Sequence, residues 1–163
     1  ENMKQAFDRE KVERLVNTYS DLILRVSYTY LNSTHDAQDI CQTVFLKLLT
    51  GNQQFRSPEH EKAWMIRTTI NACKDLLGSA WRSRTCGMEA CAEIAAPEAE
   101  EGSLLAAVNL LPEKYRMVIY LHYYEGYSAR EIANILGENA ATVGTRLFRG
   151  RKQLQIMLGE ETV

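Results

Sequence analysis

The sequence holds only three prolines, Pro58, Pro97 and Pro112. It also lacks a sustained Val/Ile/Thr alternation of the period-two kind that marks half-buried strands. Both absences point to an all-α protein. No apolar run approaches the roughly 18 residues of a membrane span. No basic segment is followed by the apolar stretch of a secretory signal. No membrane insertion is therefore expected, and the expected compartment is the cytoplasm. There the four cysteines, Cys41, Cys73, Cys86 and Cys91, would be reduced thiols. Cys86-x4-Cys91 has no companion pair, and His35, His60 and His122 are scattered, so the paired ligand spacing of a zinc site is missing. There is no nucleophile beside a base and no phosphate-cradling glycine loop. Neither an enzyme nor a cofactor or metal site is expected.

What is present is an uneven distribution of charge. The net charge is −2. Residues 1–82 carry 11 basic and 10 acidic side chains, and residues 103–163 carry 7 and 6. Between them, Arg84 stands against Glu89, Glu93, Glu98, Glu100 and Glu101. This stretch, 83–102, is rich in Ala, Glu, Gly and Ser, contains Pro97 and has no apolar stripe, so it reads as a flexible acidic linker. The expected organisation is two small helical domains, 1–82 and 103–163, joined by that linker.

In the second domain, Tyr115, Val118, Ile119 and His122 recur at helical spacing after Pro112, and Gly126 ends that helix. Ser128-Ala129-Arg130-Glu131 is a capping box. Ile132, Ile135 and Leu136 make a short apolar stripe, Gly137 supplies a left-handed closing residue, and Asn139 can cap a further helix running to about Leu158. A helix of about eight residues, a glycine turn and a longer helix form the pattern of a DNA-binding helix-turn-helix. At 100° per residue, Val143, Leu147, Gly150, Leu154 and Leu158 share one arc and should face the core. Thr142, Thr145, Arg146, Arg149 and Lys152 fall on the opposite arc. Between Ala140 and Leu158 there are four basic residues and no acid. Such a face suits a major groove: arginine forks match guanine, threonine offers a hydroxyl or a methyl, and outer cations suit phosphates.

In the first domain, Val12, Leu15, Val16, Tyr19, Leu22, Ile23, Val26 and Tyr30 form a long core-facing stripe, broken at Asn32-Ser33-Thr34. The next helix, about Asp36 to Leu49, should bury Ile40, Cys41, Val44 and Leu48 and expose Asp39, Gln42 and Lys47. Gly51 to Lys62 reads as a loop and Ala63 to Leu77 as a third helix. There Ile66, Ile70, Cys73 and Leu77 share an arc, and Trp64, Arg67, Asn71 and Lys74 form a narrow polar strip. An aromatic, an amide and cations in one strip suit single-stranded nucleic acid. Trp64 reads equally well as a core residue at a helix start.

The run Leu111-Pro112-Glu113 to Ser128, then Glu131 to Gly137, then Thr142-Val143-Gly144-Thr145-Arg146-Leu147-Phe148-Arg149-Gly150-Arg151-Lys152-Gln153-Leu154, closely resembles domain four of extracytoplasmic-function (ECF) sigma factors. Asp36-Ala37-Gln38-Asp39-Ile40-Cys41-Gln42-Thr43-Val44-Phe45-Leu46-Lys47-Leu48 resembles the segment of the same family that binds the clamp helices of the RNA polymerase β′ subunit. Together the matches span about residues 10–82 and 103–158, in family order.

The resemblance implies a promoter-specificity subunit without catalysis of its own. It implies core binding through Asp39, Gln42 and Phe45, with the β flap as a further contact. It places Phe55, Arg56 and Ser57 in the loop that pockets an extruded base of the downstream (−10) element, and Arg67, Asn71 and Lys74, with Trp64, on the helix that reads it. It assigns the upstream (−35) element to Thr142, Thr145, Arg146, Arg149 and Lys152, and it implies an anti-sigma partner. Three departures stand out. Gln38 and Thr43 replace acids usual in the family. Gly144 replaces a common lysine, and the stretch after Leu77 has only Arg82 and Arg84 where a basic run is usual. The competing reading is a helix-turn-helix regulator that binds DNA without polymerase, which would normally need a dimer.

Overall fold

The structure is a computed structural model that describes residues 2–51, 53–83 and 104–159, with side chains for 9–51, 53–79 and 104–159. The described residues form seven α-helices and no strand. The chain divides into two compact units, Glu1–Ile94 and Ala95–Val163. The expected linker falls almost wholly outside the described residues, and so do Cys86 and Cys91.

The N-terminal unit is three mutually packed helices, α1 (Asn2–Leu31), α2 (Thr34–Thr50) and α3 (Pro58–Ser83). Asn32 ends α1 in the left-handed region (φ 54°), which asparagine tolerates. Ser33 starts α2 by accepting the Asp36 amide at 3.2 Å. The core takes six of the eight residues of the expected stripe: Leu15, Tyr19, Leu22, Ile23, Val26 and Tyr30 meet Ile40, Val44 and Leu48 of α2 and Met65, Ile66, Ile70 and Cys73 of α3, whereas Val12 and Val16 are half-buried. Burial pushes the Cys73 thiol up to about 12, so it stays protonated and packs as a small apolar group.

Three expectations need correction. Cys41 is half-buried rather than core, and Leu77 is 42% exposed. A helical wheel gives a direction but not how far the neighbouring helix extends. The third helix also begins at Pro58, not Ala63, which shortens the loop. Ser57 is the reason: its hydroxyl accepts the His60 amide at 3.1 Å, and its carbonyl accepts the Glu61 amide at 3.0 Å. Proline at the first helical position needs no donor, and Glu59 and Glu61 in the first turn complement the helix dipole.

Glu61, expected in a loop, is therefore a buried helical residue. It accepts the Tyr19 hydroxyl at 2.7 Å and both ends of the Arg14 guanidinium, at 3.1 and 3.4 Å. These bonds tie α3 to α1.

The C-terminal unit contains α4 (Leu104–Asn109), α5 (Glu113–Tyr123), α6 (Ala129–Leu136) and α7 (Ala140–Met157). Pro112 precedes α5, and Gly126 turns at φ 77°. α5 is the hub, packed on α4, α6 and α7. Its Val118, Ile119 and Leu121 are fully buried, with Leu111, Ile132 and Val143 around them. Leu158, expected in this core, lies just past α7 and is 42% exposed. Arg116 is buried and donates to the carbonyls of Asn109 and Leu111, at 3.3 and 3.5 Å. It thereby satisfies carbonyls around the end of α4. His122 is held by the Tyr127 carbonyl, 2.7 Å from Nδ1, as a packing residue.

Candidate nucleic-acid interface

The C-terminal reading face begins with the turn that aims α7. The Ser128 hydroxyl accepts the Glu131 amide at 3.2 Å, while the Ser128 amide donates to the Glu131 carboxylate at 3.1 Å. That amide, followed by the hydroxyl, holds the Glu131 carboxyl below its usual range. Gly137 closes α6 at φ 67°, and Asn139 Oδ1 accepts the Ala141 amide at 2.8 Å to start α7.

On α7, Val143, Leu147, Gly150 and Leu154 are buried. All five predicted reading residues lie away from them. Thr145, Arg149 and Lys152 are exposed, and Thr142 and Arg146 are half-buried. The Thr145 hydroxyl donates back to the Ala141 carbonyl at 3.0 Å, which leaves its lone pairs as acceptors. The Lys152 ammonium sits 4.6 Å over the Phe148 ring. Arg146 pairs with Glu138 at 3.5 Å. Thr142, Thr145, Arg146 and Arg149 line one shallow groove of about 380 Å³ together with Lys114 and Tyr115 of α5. Lys114 and Glu138 were not among the residues read from sequence. Lys114 belongs to another helix, and Glu138 belongs to the turn, so neither appears on the α7 wheel.

In the N-terminal unit, α3 carries Trp64, Arg67, Asn71 and Lys74 at successive spacings of three, four and three. The last three are exposed and Trp64 is half-buried. Trp64 is neither a core residue nor an open stacking plate. Phe55 meets its ring edge-on at 5.6 Å, so the structure joins the loop to the strip. Arg56 is exposed, whereas the Ser57 hydroxyl is engaged as the α3 cap. On α2, Asp39 and Gln42 are exposed and Phe45 is half-buried. Leu46 and Leu49, 61% and 53% exposed, extend that face one and two helical turns beyond Gln42. Both leucines lie on the Asp39 and Gln42 side of α2, away from Ile40, Val44 and Leu48, and the sequence reading left them unassigned.

Comparison with known proteins decides what this pair of units is. Residues 15–83 match the family described as Sigma-70 region 2, and residues 101–154 match Sigma-70, region 4. RNA polymerase sigma factor SigV of Bacillus subtilis is 31% identical over 140 residues, covering 84% of each chain. ECF RNA polymerase sigma factor SigW of the same organism is 30% identical over 169 residues, covering 93% of this chain and 90% of SigW. The chain belongs to the ECF sigma factor family.

The fold agrees with sigma factors of known structure. RpoE of Bartonella quintana, solved in complex with the anti-sigma factor NepR, superposes with a TM-score of 0.72 at 21% identity, over 94% of this chain and 99% of RpoE. CnrH, solved with the cytosolic domain of CnrY, gives 0.61 at 19% identity, over 94% and 91%. Sigma factors are transcription initiation factors, not enzymes, and membership of this family supports the expectation of no catalysis. Among the described residues, no helix is long and apolar enough to cross a membrane.

Proposed function

We propose that this sigma factor binds RNA polymerase core through its N-terminal domain, 1–82, and reads the two promoter elements with separate surfaces, from the cytoplasm. Asp39, Gln42 and Phe45, extended by Leu46 and Leu49, form the core-binding face of α2. A partly apolar face with one acid suits docking on a protein surface. Phe55, Arg56 and Ser57 form the pocket for an extruded −10 base, and Trp64, Arg67, Asn71 and Lys74 read the adjoining strand. The C-terminal domain, 103–163, presents Thr142, Thr145, Arg146, Arg149 and Lys152 to the −35 major groove and meets the β flap. The acidic segment 83–102 tethers the two and raises the effective concentration of the second contact. The fold is shared with RpoE, solved with the anti-sigma factor NepR, which supports an anti-sigma partner here too. The observation that carries the reading is the arrangement of α7: Val143, Leu147, Gly150 and Leu154 are buried, and Thr142, Thr145, Arg146 and Arg149 line one groove.

Run-off transcription with sigma-free bacterial core polymerase and a promoter from upstream of the protein's own gene tests the proposal. The wild type is expected to give a start-site-specific transcript. Arg149→Ala should lower promoter affinity about tenfold, the usual scale for an arginine that contacts a base. Asp39→Ala should weaken core binding and leave isolated folding intact. Absence of transcript, with stable duplex binding in the absence of core, overturns the assignment of these surfaces.

The Arg146–Glu138 pair sets a further expectation. Glu138 is the acid that approaches the cationic face, and it repels phosphates while it restrains Arg146. Both groups are partly exposed, so the pair itself contributes little to stability. Glu138→Gln should strengthen holoenzyme binding to unrelated duplex by roughly threefold and narrow the margin over the true promoter. Competition binding at two salt concentrations measures both. Unchanged non-specific affinity would show that Glu138 does not act on the DNA.

A further inference from the structure

His60 has no part in the reading so far, yet three consecutive loop residues converge on it. The Phe55 ring meets the imidazole edge-on at 5.7 Å, with the planes at 76°. The Arg56 backbone amide donates to His60 Nδ1 at 3.1 Å. The Ser57 hydroxyl accepts the His60 backbone amide at 3.1 Å. Phe55 is gripped on a second side by Trp64. Residues 53–55 lie outside helix, and Arg56 and Ser57 form a bend, so the segment has no helical ladder to define its shape. The Arg56 amide, which sits between the two side chains that flank it, takes its partner from His60 instead. That bond requires Nδ1 to be unprotonated, which places the ring proton on Nε2.

We propose that His60 is a positioning residue for base capture: it holds the Phe55–Ser57 loop in its receiving shape before DNA arrives. The inference rests on the assignment of that loop to the −10 pocket. Flipping a base out of the stack costs a few kcal/mol. A loop that must also be ordered at that moment captures the base less well, because the ordering cost is subtracted from binding. The imidazole removes that cost by two separable means. Its ring confines Phe55, and its Nδ1 fixes the peptide plane between Phe55 and Arg56. The substitution His60→Asn keeps an acceptor near the Nδ1 position and loses the ring, whereas His60→Phe keeps a ring and loses the acceptor.

The test uses holoenzyme assembled from core polymerase and the full chain, on a promoter fragment that supports run-off transcription. Opening is read by permanganate reactivity of unpaired thymines in the −10 element. Core affinity and thermal unfolding of each variant are measured alongside. His60→Phe is expected to lower the opened fraction about fivefold, the factor that loss of one neutral hydrogen bond gives. His60→Asn should recover at least half of it. Core affinity and thermal unfolding should match wild type in both. Phe55→Ala serves as the control for the loop itself. If Phe55→Ala impairs opening and His60→Phe does not, the role given to His60 is overturned while the pocket assignment stands. If Phe55→Ala opens the promoter as wild type does, the pocket assignment falls and the inference with it. A His60→Ala variant no more defective than His60→Asn overturns the role of Nδ1, since the two differ in the acceptor and both lack the ring. Equal losses in core affinity and opening overturn positioning in favour of a purely structural role.

Discussion

The substitution Gly150→Val is expected to unfold the C-terminal unit under conditions where the wild type is folded, while Gly144→Ala in the same helix stabilises it. Helix propensity alone favours replacing glycine at both sites, since alanine is preferred over glycine by about 1 kcal/mol in a helix interior. Packing separates them. A Cβ at Gly150 would stand 2.9 Å from Ile119 Cγ1, 3.2 Å from Ile119 Cδ1 and 3.3 Å from Tyr115 Cβ. Both partners are buried on α5, so neither can swing aside. Gly150 is what allows α7 to lie close against α5, and the reading face is aimed by that contact. Overpacking of this kind costs about 1–3 kcal/mol per inserted group. Gly150→Ala should therefore lose about 1 kcal/mol net, and Gly150→Val about 3 kcal/mol or more. A unit of about sixty residues has little stability to spare. At Gly144 nothing lies within 4 Å of the added carbon, so Gly144→Ala keeps its gain of about 1 kcal/mol. Thermal unfolding followed by circular dichroism checks both. A Gly150→Val protein that melts like wild type would show that α5 and α7 do not approach as described.

The two glycines also show what the sequence could and could not disclose. The wheel put Gly150 on the core arc correctly, but only the structure shows that the arc is closed against Ile119 and Tyr115. Local signals were legible throughout. The Asn139 cap, the Ser128–Glu131 box and the Gly137 turn each involve residues within three or four positions, and each forms as read. The apolar stripes of α1, α2 and α7 likewise follow from a 3.6-residue period. What escaped was long-range or at an edge. Glu61 finds Tyr19 and Arg14 across 42 and 47 residues, a pairing no local pattern encodes. Helix α4 is six residues long, too short for a period, and depends on Arg116 from the next helix. The start of α3 is different: Ser57-Pro58-Glu59 is a local start signal that lies inside the stretch read as loop. For the candidate site, the wheel identified side chains on α7, α2 and α3. It could not identify Lys114, Glu138 or His60, whose place depends on a second element or a turn.

Removing the Glu61 carboxylate is expected to destabilise the N-terminal unit by about 2 kcal/mol at neutral pH, and the deficit should shrink in acid. Two side chains bond this carboxylate, and they do not contribute equally. Tyr19 is buried, and a buried hydroxyl that loses its acceptor costs about 1–3 kcal/mol. The Arg14 side chain is 55% exposed, so water replaces most of what it loses, and its share is within about 1 kcal/mol. Glu61→Ala removes both interactions. Glu61→Gln keeps an oxygen for Tyr19 and should cost about half as much. The pH dependence follows from the same geometry. Burial works to raise the Glu61 pKa, but hydrogen bonds from Arg14 and Tyr19 and the charges of Arg14 and Lys11 outweigh it, leaving the carboxyl below its usual value. A depressed carboxyl contributes its full stabilisation above its unfolded value of about 4.3 and loses it as pH falls through the lower folded value. The gap between wild type and Glu61→Gln should therefore be constant from neutral pH down to about 5 and narrow progressively below the unfolded value of about 4.3. Urea unfolding at several pH values reads this directly. A gap that persists undiminished below pH 4 would mean that the carboxylate charge does not stabilise the contact between α1 and α3. Because α3 carries the strip of Trp64, Arg67, Asn71 and Lys74 while α1 carries none of the candidate residues, the same variants should weaken −10 reading only to the extent that they loosen α3.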